Sequence, residues 1–372
     1  MFVYASGCDL LEQIENVPTA QMSEAYAEFN YNELVFLLDS FYGLKPEHDI
    51  DSFYKFIPNM GLEQKLASTD PDEFDMGLAE LTLRYLDDQH SGFFAHSYLS
   101  KARDQDPLEA EAALDEVTGT STSTATKDLV LFKEHRAKYY PEFGDESFPY
   151  EEVGDTAFVT FDTFLVNKHD YYKKADLKSP QDTIELIAAA HKRIMRDGSP
   201  IKNVVLDLSC NDGGDGDAAA FVIAWYGGGR QLGLRNTLTG AQSVVFYAAD
   251  VNLDGKFDGD DTLYEKMQAG ELNLYCPTSS NSFSCGNLVP AALKGSGVVL
   301  LGQTTGGGSC ALLPYTTASG TSFRISGTSQ ISTIKNGAFC NVDTGIDPDV
   351  PITRFETFYD RPKLVDFIHS LK

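Results

Sequence analysis

Apolar residues recur at helical spacing through Tyr31-Asn-Glu-Leu-Val-Phe-Leu-Leu-Asp-Ser-Phe-Tyr42, and the run stops at Gly43. That spacing predicts an amphipathic helix with a glycine beyond its end. Asp70-Pro-Asp-Glu predicts a second helix, with Asp70 as N-cap and Pro71 in the first position, where a missing N–H does no harm. It should run past Leu78, Leu81 and Tyr85 and give way to a glycine-containing turn at His90-Ser-Gly92. From about residue 145 the period changes. Asp155-Thr-Ala-Phe-Val-Thr-Phe161 alternates as a strand does. Ser179-Pro-Gln-Asp182 predicts a helix start with Ser179 at the cap, the helix running to Gly198. Asn203-Val-Val-Leu-Asp-Leu208 is almost continuously apolar, as expected of a strand covered on both faces in a parallel sheet. A helix over 218–225, strands at 243–247, 272–276 and 297–302, a hairpin over 312–325 and a closing helix from Arg361 follow. Strands alternating with helices predict an α/β core with crossover connections, preceded by a helical N-terminal region.

Between these regions, residues 104–128 turn acidic and then Ser/Thr-rich, ending in Gly119-Thr-Ser-Thr-Ser-Thr-Ala-Thr126, which reads as an exposed linker. The expected organisation is a helical domain over 1–103, a linker over 104–144 and a core over 145–372. At 372 residues with 42% apolar content, the chain is long enough for two folded parts and too apolar for disorder. A formal charge of −26 disfavours nucleic acid and anionic membrane as partners. No stretch reaches 18 apolar residues, so no transmembrane segment is expected. Ala5-Ser-Gly-Cys8 resembles the end of a bacterial lipoprotein signal. The expected location is therefore extracytoplasmic, secreted or lipid-anchored at a bacterial surface, with most of the signal missing from this chain. Six cysteines are too few for a disulfide scaffold. Cys310 and Cys340 lie on segments that could pair, and Cys210 and Cys285 flank the candidate site, but buried free thiols are the default reading.

The stretch with most chemical promise is Asn281-Ser-Phe-Ser-Cys-Gly-Asn287, a small polar turn between a strand and a helix. A side chain on such a turn projects outward, and the amides behind it sit at a helix N-terminus, where they can stabilise an oxyanion. Ser284 is the candidate nucleophile. The competing reading is an ordinary Ser/Gly turn that caps a helix.

Five separated segments together resemble peptidase family S41, which includes the C-terminal processing proteases, the tricorn core protease and the chlamydial protease-like activity factor. Asn203-Val-Val-Leu-Asp-Leu-Ser-Cys-Asn-Asp-Gly-Gly214 resembles the family strand that ends in Asn-x-Gly-Gly. Ser282-Phe-Ser-Cys-Gly-Asn287 resembles its nucleophile turn. Leu300-Leu-Gly-Gln-Thr-Thr-Gly-Gly307 resembles the Gly-x-x-Thr-x-Gly segment that follows, and Asp343-Thr-Gly-Ile-Asp-Pro-Asp349 the late Gly-Ile/Val-x-Pro-Asp turn. Leu86-Asp-Asp-Gln-His-Ser-Gly92 resembles the Asp-x-His-x-Gly segment. The resemblance implies a ClpP/crotonase-like α/β fold, a serine endopeptidase acting on protein or peptide, and no catalytic cofactor. Processing proteases carry a lysine base, but Thr304-Thr-Gly-Gly-Gly-Ser309 has no lysine. The resemblance is therefore to the branch with a Ser–His pair, and it implies His90 as general base. Asp343 is the implied third member, and the implied oxyanion hole is the N–H of Cys285 with that of Gly213 or Gly214. The span from 92 to 145 is too short for a PDZ domain.

A second pattern lies inside the core. Asp250-Val-Asn-Leu-Asp-Gly-Lys-Phe-Asp-Gly-Asp-Asp261 fits the Asp-x-Asn-x-Asp-Gly calcium loop. Its ligands would be Asp250, Asn252, Asp254, the Lys256 carbonyl, Asp258 and Asp261, clamping the structure around Ca2+. Two other functions stay open: an α/β-hydrolase-like esterase using Ser284, Asp347 or Asp349 and His369, and a non-catalytic calcium-dependent binding protein. Oligomeric state and peptide specificity are not fixed by the sequence.

Overall fold

The computed structural model describes residues 23–93, 124–144, 147–167 and 169–371. Ala5–Cys8, and all of the expected linker before Thr124, lie outside them. The chain divides into two compact units: residues 1–123 with 311–328, and residues 124–310 with 329–372.

In the first unit, helix α1 (Glu24–Phe41) is capped by Ser23 and buries Leu34, Val35 and Leu38. Helices α2 (Phe53–Asn59) and α3 (Glu63–Leu66) follow. Helix α4 (Pro71–Glu80) starts as its sequence predicts: the Asp70 carboxylate accepts from the Asp72 N–H, and Pro71 occupies the first turn. It continues as a π-helical turn over Leu81–Leu86, where the Asp87 N–H reaches back to the Thr82 carbonyl. The short strand β1 (Gly92–Phe93) pairs with Phe323 and Arg324 of the hairpin.

The second unit opens with helix α5 (Thr124–Ala137), in a segment expected to be linker. It is held by tertiary contacts. Phe132 is buried and meets the rings of Phe355, Phe358 and Tyr359 edge-on, while Arg136 forms a buried two-pronged ion pair with Asp162 at 2.6 Å on each arm. After β2 (Tyr150–Val153) and β3 (Thr156–Thr160) come helices α6 (Tyr171–Lys174) and α7 (Thr183–Ile194). Asp182, not Ser179, caps α7: its carboxylate accepts from the Glu185 N–H and also from Tyr171 and Asn167.

Then follow β4 (Asn203–Asp207), α8 (Gly216–Gly227), the hairpin β5 (Gln231–Asn236) and β6 (Gln242–Phe246), α9 (Leu263–Gln268), β7 (Asn273–Thr278), α10 (Cys285–Leu293) and β8 (Val299–Gly302). The hairpin strands β9 (Cys310–Thr316) and β10 (Ser322–Ser332), the pair β11 (Ile334–Lys335) and β12 (Ala338–Phe339), β13 (Val350–Pro351) and helices α11 (Phe355–Tyr359) and α12 (Arg361–His369) complete the chain.

The central sheet has the order β13-β8-β7-β4-β3-β2, all parallel except the outer strand β2. Its apolar runs are explained by the two-residue period of strands. Ala157, Val159, Val204, Leu206, Leu274 and Cys276 face the core built with α7, α8 and α10. The intervening Phe158, Val205, Tyr275 and Leu301 face a second layer built from Phe132, Tyr359, Leu364 and Ile368. The fold is α/β, with a crossover-containing sheet between helical layers.

Candidate active site

Three neighbouring parallel strands, β4, β7 and β8, deliver their carboxyl ends to one place, the edge where open α/β sheets bind ligands. From β4 comes Leu208–Gly214, from β7 Ser279–Ser284, and from β8 Gln303–Ser309. Hydroxyls fasten the first two loops: Ser279 Oγ donates to the Ser209 carbonyl and Ser282 Oγ to that of Leu208 at 2.7 Å. The Phe283 N–H bonds the Asn211 carbonyl. The third loop is fastened to the second through Ser284 N–H to Gly307 O at 2.9 Å and Gly306 N–H to Ser282 O at 3.0 Å.

Ser284 stands at the N-terminus of α10 with φ 55° and ψ −119°, a region that side-chain-bearing residues seldom occupy. It does not cap the helix: its hydroxyl makes no hydrogen bond among the described residues. That disposes of the simple capping account of this serine. Gly213, at φ 114°, lies against it, and a Cβ there would stand 2.7 Å from Ser284 Cβ and 3.1 Å from its Oγ. A Cβ on Gly214 would meet the Phe164 carbonyl at 2.3 Å, and one on Gly286 the Asn211 carbonyl at 2.2 Å. Both loops need glycine because backbone packs on backbone.

The amides differ in a way that sequence does not show. Gly213 N–H donates to Asn211 Oδ1 at 3.1 Å. The Gly214 and Cys285 N–H groups have no acceptor among the described residues. The Cys285 thiol donates to the Gly214 carbonyl at 3.3 Å, and burial pushes it up to about 12, so it is a neutral packing group and not a competing nucleophile. Burial likewise pushes Cys210 up to about 12. Cys276 and Cys310 are buried and Cys340 is partly exposed, and none of the three forms a disulfide among the described residues.

Asp343 does not sit alone. Its Oδ1 accepts from Ser309 N–H at 2.8 Å and Ser309 Oγ at 2.7 Å, and its carbonyl accepts from Gly308 N–H. Gln330, almost fully buried, donates to Ser309 Oγ and Asn341 Oδ1. Asp343 therefore secures the Gly307–Ser309 turn whose carbonyl holds Ser284. Ser309 and Gln330 escape a reading by motif, since only tertiary contact gives them a place here.

His90 belongs to the first unit. The widened turn of Leu81–Leu86 and two left-handed residues, Asp87 (φ 39°) and Gln89 (φ 59°), lead into it. It is 6% exposed, its N–H bonds the Asp88 carbonyl at 2.7 Å, and its Nδ1 stands 3.4 Å from Ser326 Oγ. Asp88 accepts from both the N–H and the hydroxyl of Ser91, which fixes the turn.

The esterase order fails. His369 Nε2 stands 3.1 Å from Asp155 Oδ1 and 3.2 Å from Asn203 Nδ2. Those residues mark the amino ends of β3 and β4, whereas Ser284 follows the carboxyl end of β7, a strand length of about 13 Å away. Asp349 is paired with Lys294, and Asp347 accepts from Thr304.

In the 250–261 loop, Asp250 accepts from the Asp254 and Gly255 amides and from the Tyr172 hydroxyl. Asp254 accepts from the amide and side chain of Lys256, Asp258 from the Asp260 amide, and Asp261 from the Val251, Asn252 and Asp258 amides. Among the described residues no group of three or more His, Cys, Asp or Glu side chains is arranged to hold a metal ion.

A sequence profile of peptidase family S41 matches residues 156–352, which span every strand of the central sheet except β2 and all three site loops. No curated protein matches the chain in sequence. Among solved structures, a putative peptidase from Parabacteroides merdae superposes with a TM-score of 0.55 at 14% identity, covering 93% of this chain and 96% of that one. Mature CPAF gives 0.53 at 12% identity, covering 93% and 97%. A lipoprotein from Streptococcus agalactiae gives 0.51 at 14%, covering 95% and 99%. At these identities the likeness is one of fold.

Proposed function

Because the chain belongs to peptidase family S41, we propose that this peptidase is a serine endopeptidase with Ser284 as nucleophile. The observation that carries the proposal is the state of Ser284: a strained turn residue with an unbonded hydroxyl, beside a glycine that leaves no room for any side chain. A serine hydroxyl needs a base, and neutral imidazole suits that task. In the proposed mechanism His90 takes the Ser284 proton as Oγ attacks the peptide carbonyl. The N–H groups of Cys285 and Gly214 receive the developing oxyanion. Protonated His90 gives its proton to the leaving amine, and water then hydrolyses the acyl-enzyme. The unbonded amide favours Gly214 over Gly213 as second donor. Asp343 acts through the Gly307–Ser309 turn, with its second carboxylate oxygen left for a further partner.

The 250–261 loop retains a structural calcium reading, which rests on its sequence pattern alone. An extracytoplasmic location is supported by the Ala5–Cys8 pattern and by the lipoprotein of like fold.

The test is covalent labelling by a fluorophosphonate with casein cleavage alongside, in wild type, Ser284→Ala, His90→Ala and His369→Ala. Both signals should vanish in the first two variants and persist in the third. An active Ser284→Ala enzyme would end the proposal.

A further inference from the structure

The outer edge of β6 is built to pair with another strand. β6 closes one end of its sheet, and among the described residues no strand lies beyond it. All five of its residues are exposed, with Phe246 at 74%. Its pairing with β5 fixes which backbone groups point outward. Asn236 N–H bonds the Ala241 carbonyl, and Tyr247 N–H bonds the Arg230 carbonyl. In the antiparallel register Leu234↔Ser243 and Leu232↔Val245, the odd-numbered residues of β6 thus turn their N–H and C=O toward β5. Gln242, Val244 and Phe246 turn theirs away, leaving three donors and three acceptors in a row.

Edges of this kind are normally guarded by charge, proline or a bulge. Here residues 236–249 contain no charged side chain and no proline, in a chain with 84 charged residues (29 Lys and Arg plus 55 Asp and Glu). Two copies of a −26 chain repel one another over most of their surface. This uncharged strand is where they can approach with least repulsion. It is also self-complementary. A twofold axis through Val244 sets Val244 opposite Val244 of a second copy and Gln242 opposite Phe246. All six outward backbone groups of each copy are then satisfied, and each Phe246 ring lies diagonal to the other copy's Val244.

We infer that β6 is a dimerisation edge, occupied by the same strand of a second copy. One five-residue strand pair buries less than a standard interface, so the dimer is weak, with a Kd of about 10–100 µM.

The test is sedimentation equilibrium of the whole chain from about 1 to 300 µM, a range chosen to bracket that Kd. Wild type should pass from monomer to dimer. Val244→Glu sets two carboxylates opposite each other and should stay monomeric. Val244→Lys should do the same, and an equimolar mixture of the two variants should associate again. The exposed position and outward N–H of Val244 make both substitutions compatible with the fold, which circular dichroism checks. A wild type that is monomeric throughout, a Val244→Glu chain that dimerises like wild type, or a mixture that fails to associate would each overturn the inference.

Discussion

Adding one methyl group at Gly213 should disable Ser284 without unfolding the protein. In Gly213→Ala the new Cβ would lie 2.7 Å from Ser284 Cβ, 3.1 Å from Ser284 Oγ and 3.1 Å from the Phe283 carbonyl. Ser284 Cβ and the Phe283 carbonyl are fixed to the backbone, so turning Oγ alone does not relieve the clash. Ser284 is held by its own N–H on Gly307 and cannot swing aside without breaking the turn. The residue also sits at φ 114°, where an alanine is strained by about 1–3 kcal/mol. In a chain of this size that strain lowers Tm by only a few degrees. Displacing a nucleophile by about 1 Å, however, reduces turnover by about a hundredfold. The assay is the second-order rate of fluorophosphonate labelling, read beside a thermal melt. Gly216→Ala is the nearby control at the start of α8, since a Cβ there meets nothing within 4 Å and its φ is ordinary. The expected outcome is a loss of labelling of about a hundredfold or more in Gly213→Ala, with wild-type labelling in Gly216→Ala. If Gly213→Ala labels at the wild-type rate while remaining folded, the reasoning that ties Gly213 to Ser284 is refuted.

Three further outcomes follow from buried charge and from the acidic loop. Asp75 is fully buried, with one oxygen on Thr321 at 2.7 Å and the other without a partner, and burial raises its carboxyl to about 7. The native state therefore keeps a proton that the unfolded chain releases near pH 4. This contribution is complete below pH 4 and is lost as pH rises through 7. Asp75→Asn should remove that slope and gain on wild type from pH 4 to pH 7 by up to about 4 kcal/mol in urea unfolding; parallel curves would refute it. Arg136→Ala removes the two-pronged partner of the buried Asp162 carboxylate, from which Lys133 stands 3.9 Å away, and should destabilise by about 3–5 kcal/mol in the same assay. Calcium at a hundredfold excess over Kd should raise Tm relative to EDTA, equivalent to about 2.7 kcal/mol, and the effect should be absent in Asp254→Ala. No shift in wild type would remove calcium from the account.

What the sequence discloses divides along the range of the interactions involved. Asp70 and Pro71 start a helix through contacts within one turn, so their positions are readable in advance. So is the strand–turn–helix around Ser284, whose elements are neighbours along the chain. Ser179 looks as good a cap as Asp182, but Asp182 gains bonds from Asn167 and Tyr171, which lie 15 and 11 residues away and which no local pattern reveals. Helix α5 escapes for the same reason. Its Thr-rich start and polar face read as linker, and it is packed by Phe355, Phe358 and Tyr359, more than two hundred residues later.

The candidate site follows the same division, with a consequence for how Asp343 works. A carboxylate at that point invites assignment as the direct partner of a histidine. Its Oδ1 instead takes both donors of Ser309, and Ser309 Oγ also receives Gln330. The Gly307 carbonyl, one peptide bond upstream of Gly308 whose N–H binds Asp343, holds the Ser284 amide. Removing the Asp343 carboxylate would free the glycine turn and, through it, the backbone angle that presents Ser284. Asp343→Asn keeps an acceptor oxygen for Ser309 and Asp343→Ala does not. The two variants therefore separate a positioning role from a charge role. If Asp343 acts by holding the turn, Asp343→Asn should retain most of the labelling that Asp343→Ala loses. If its charge acts on the base, both should fall together, and the asparagine variant should also show an altered pH profile for labelling.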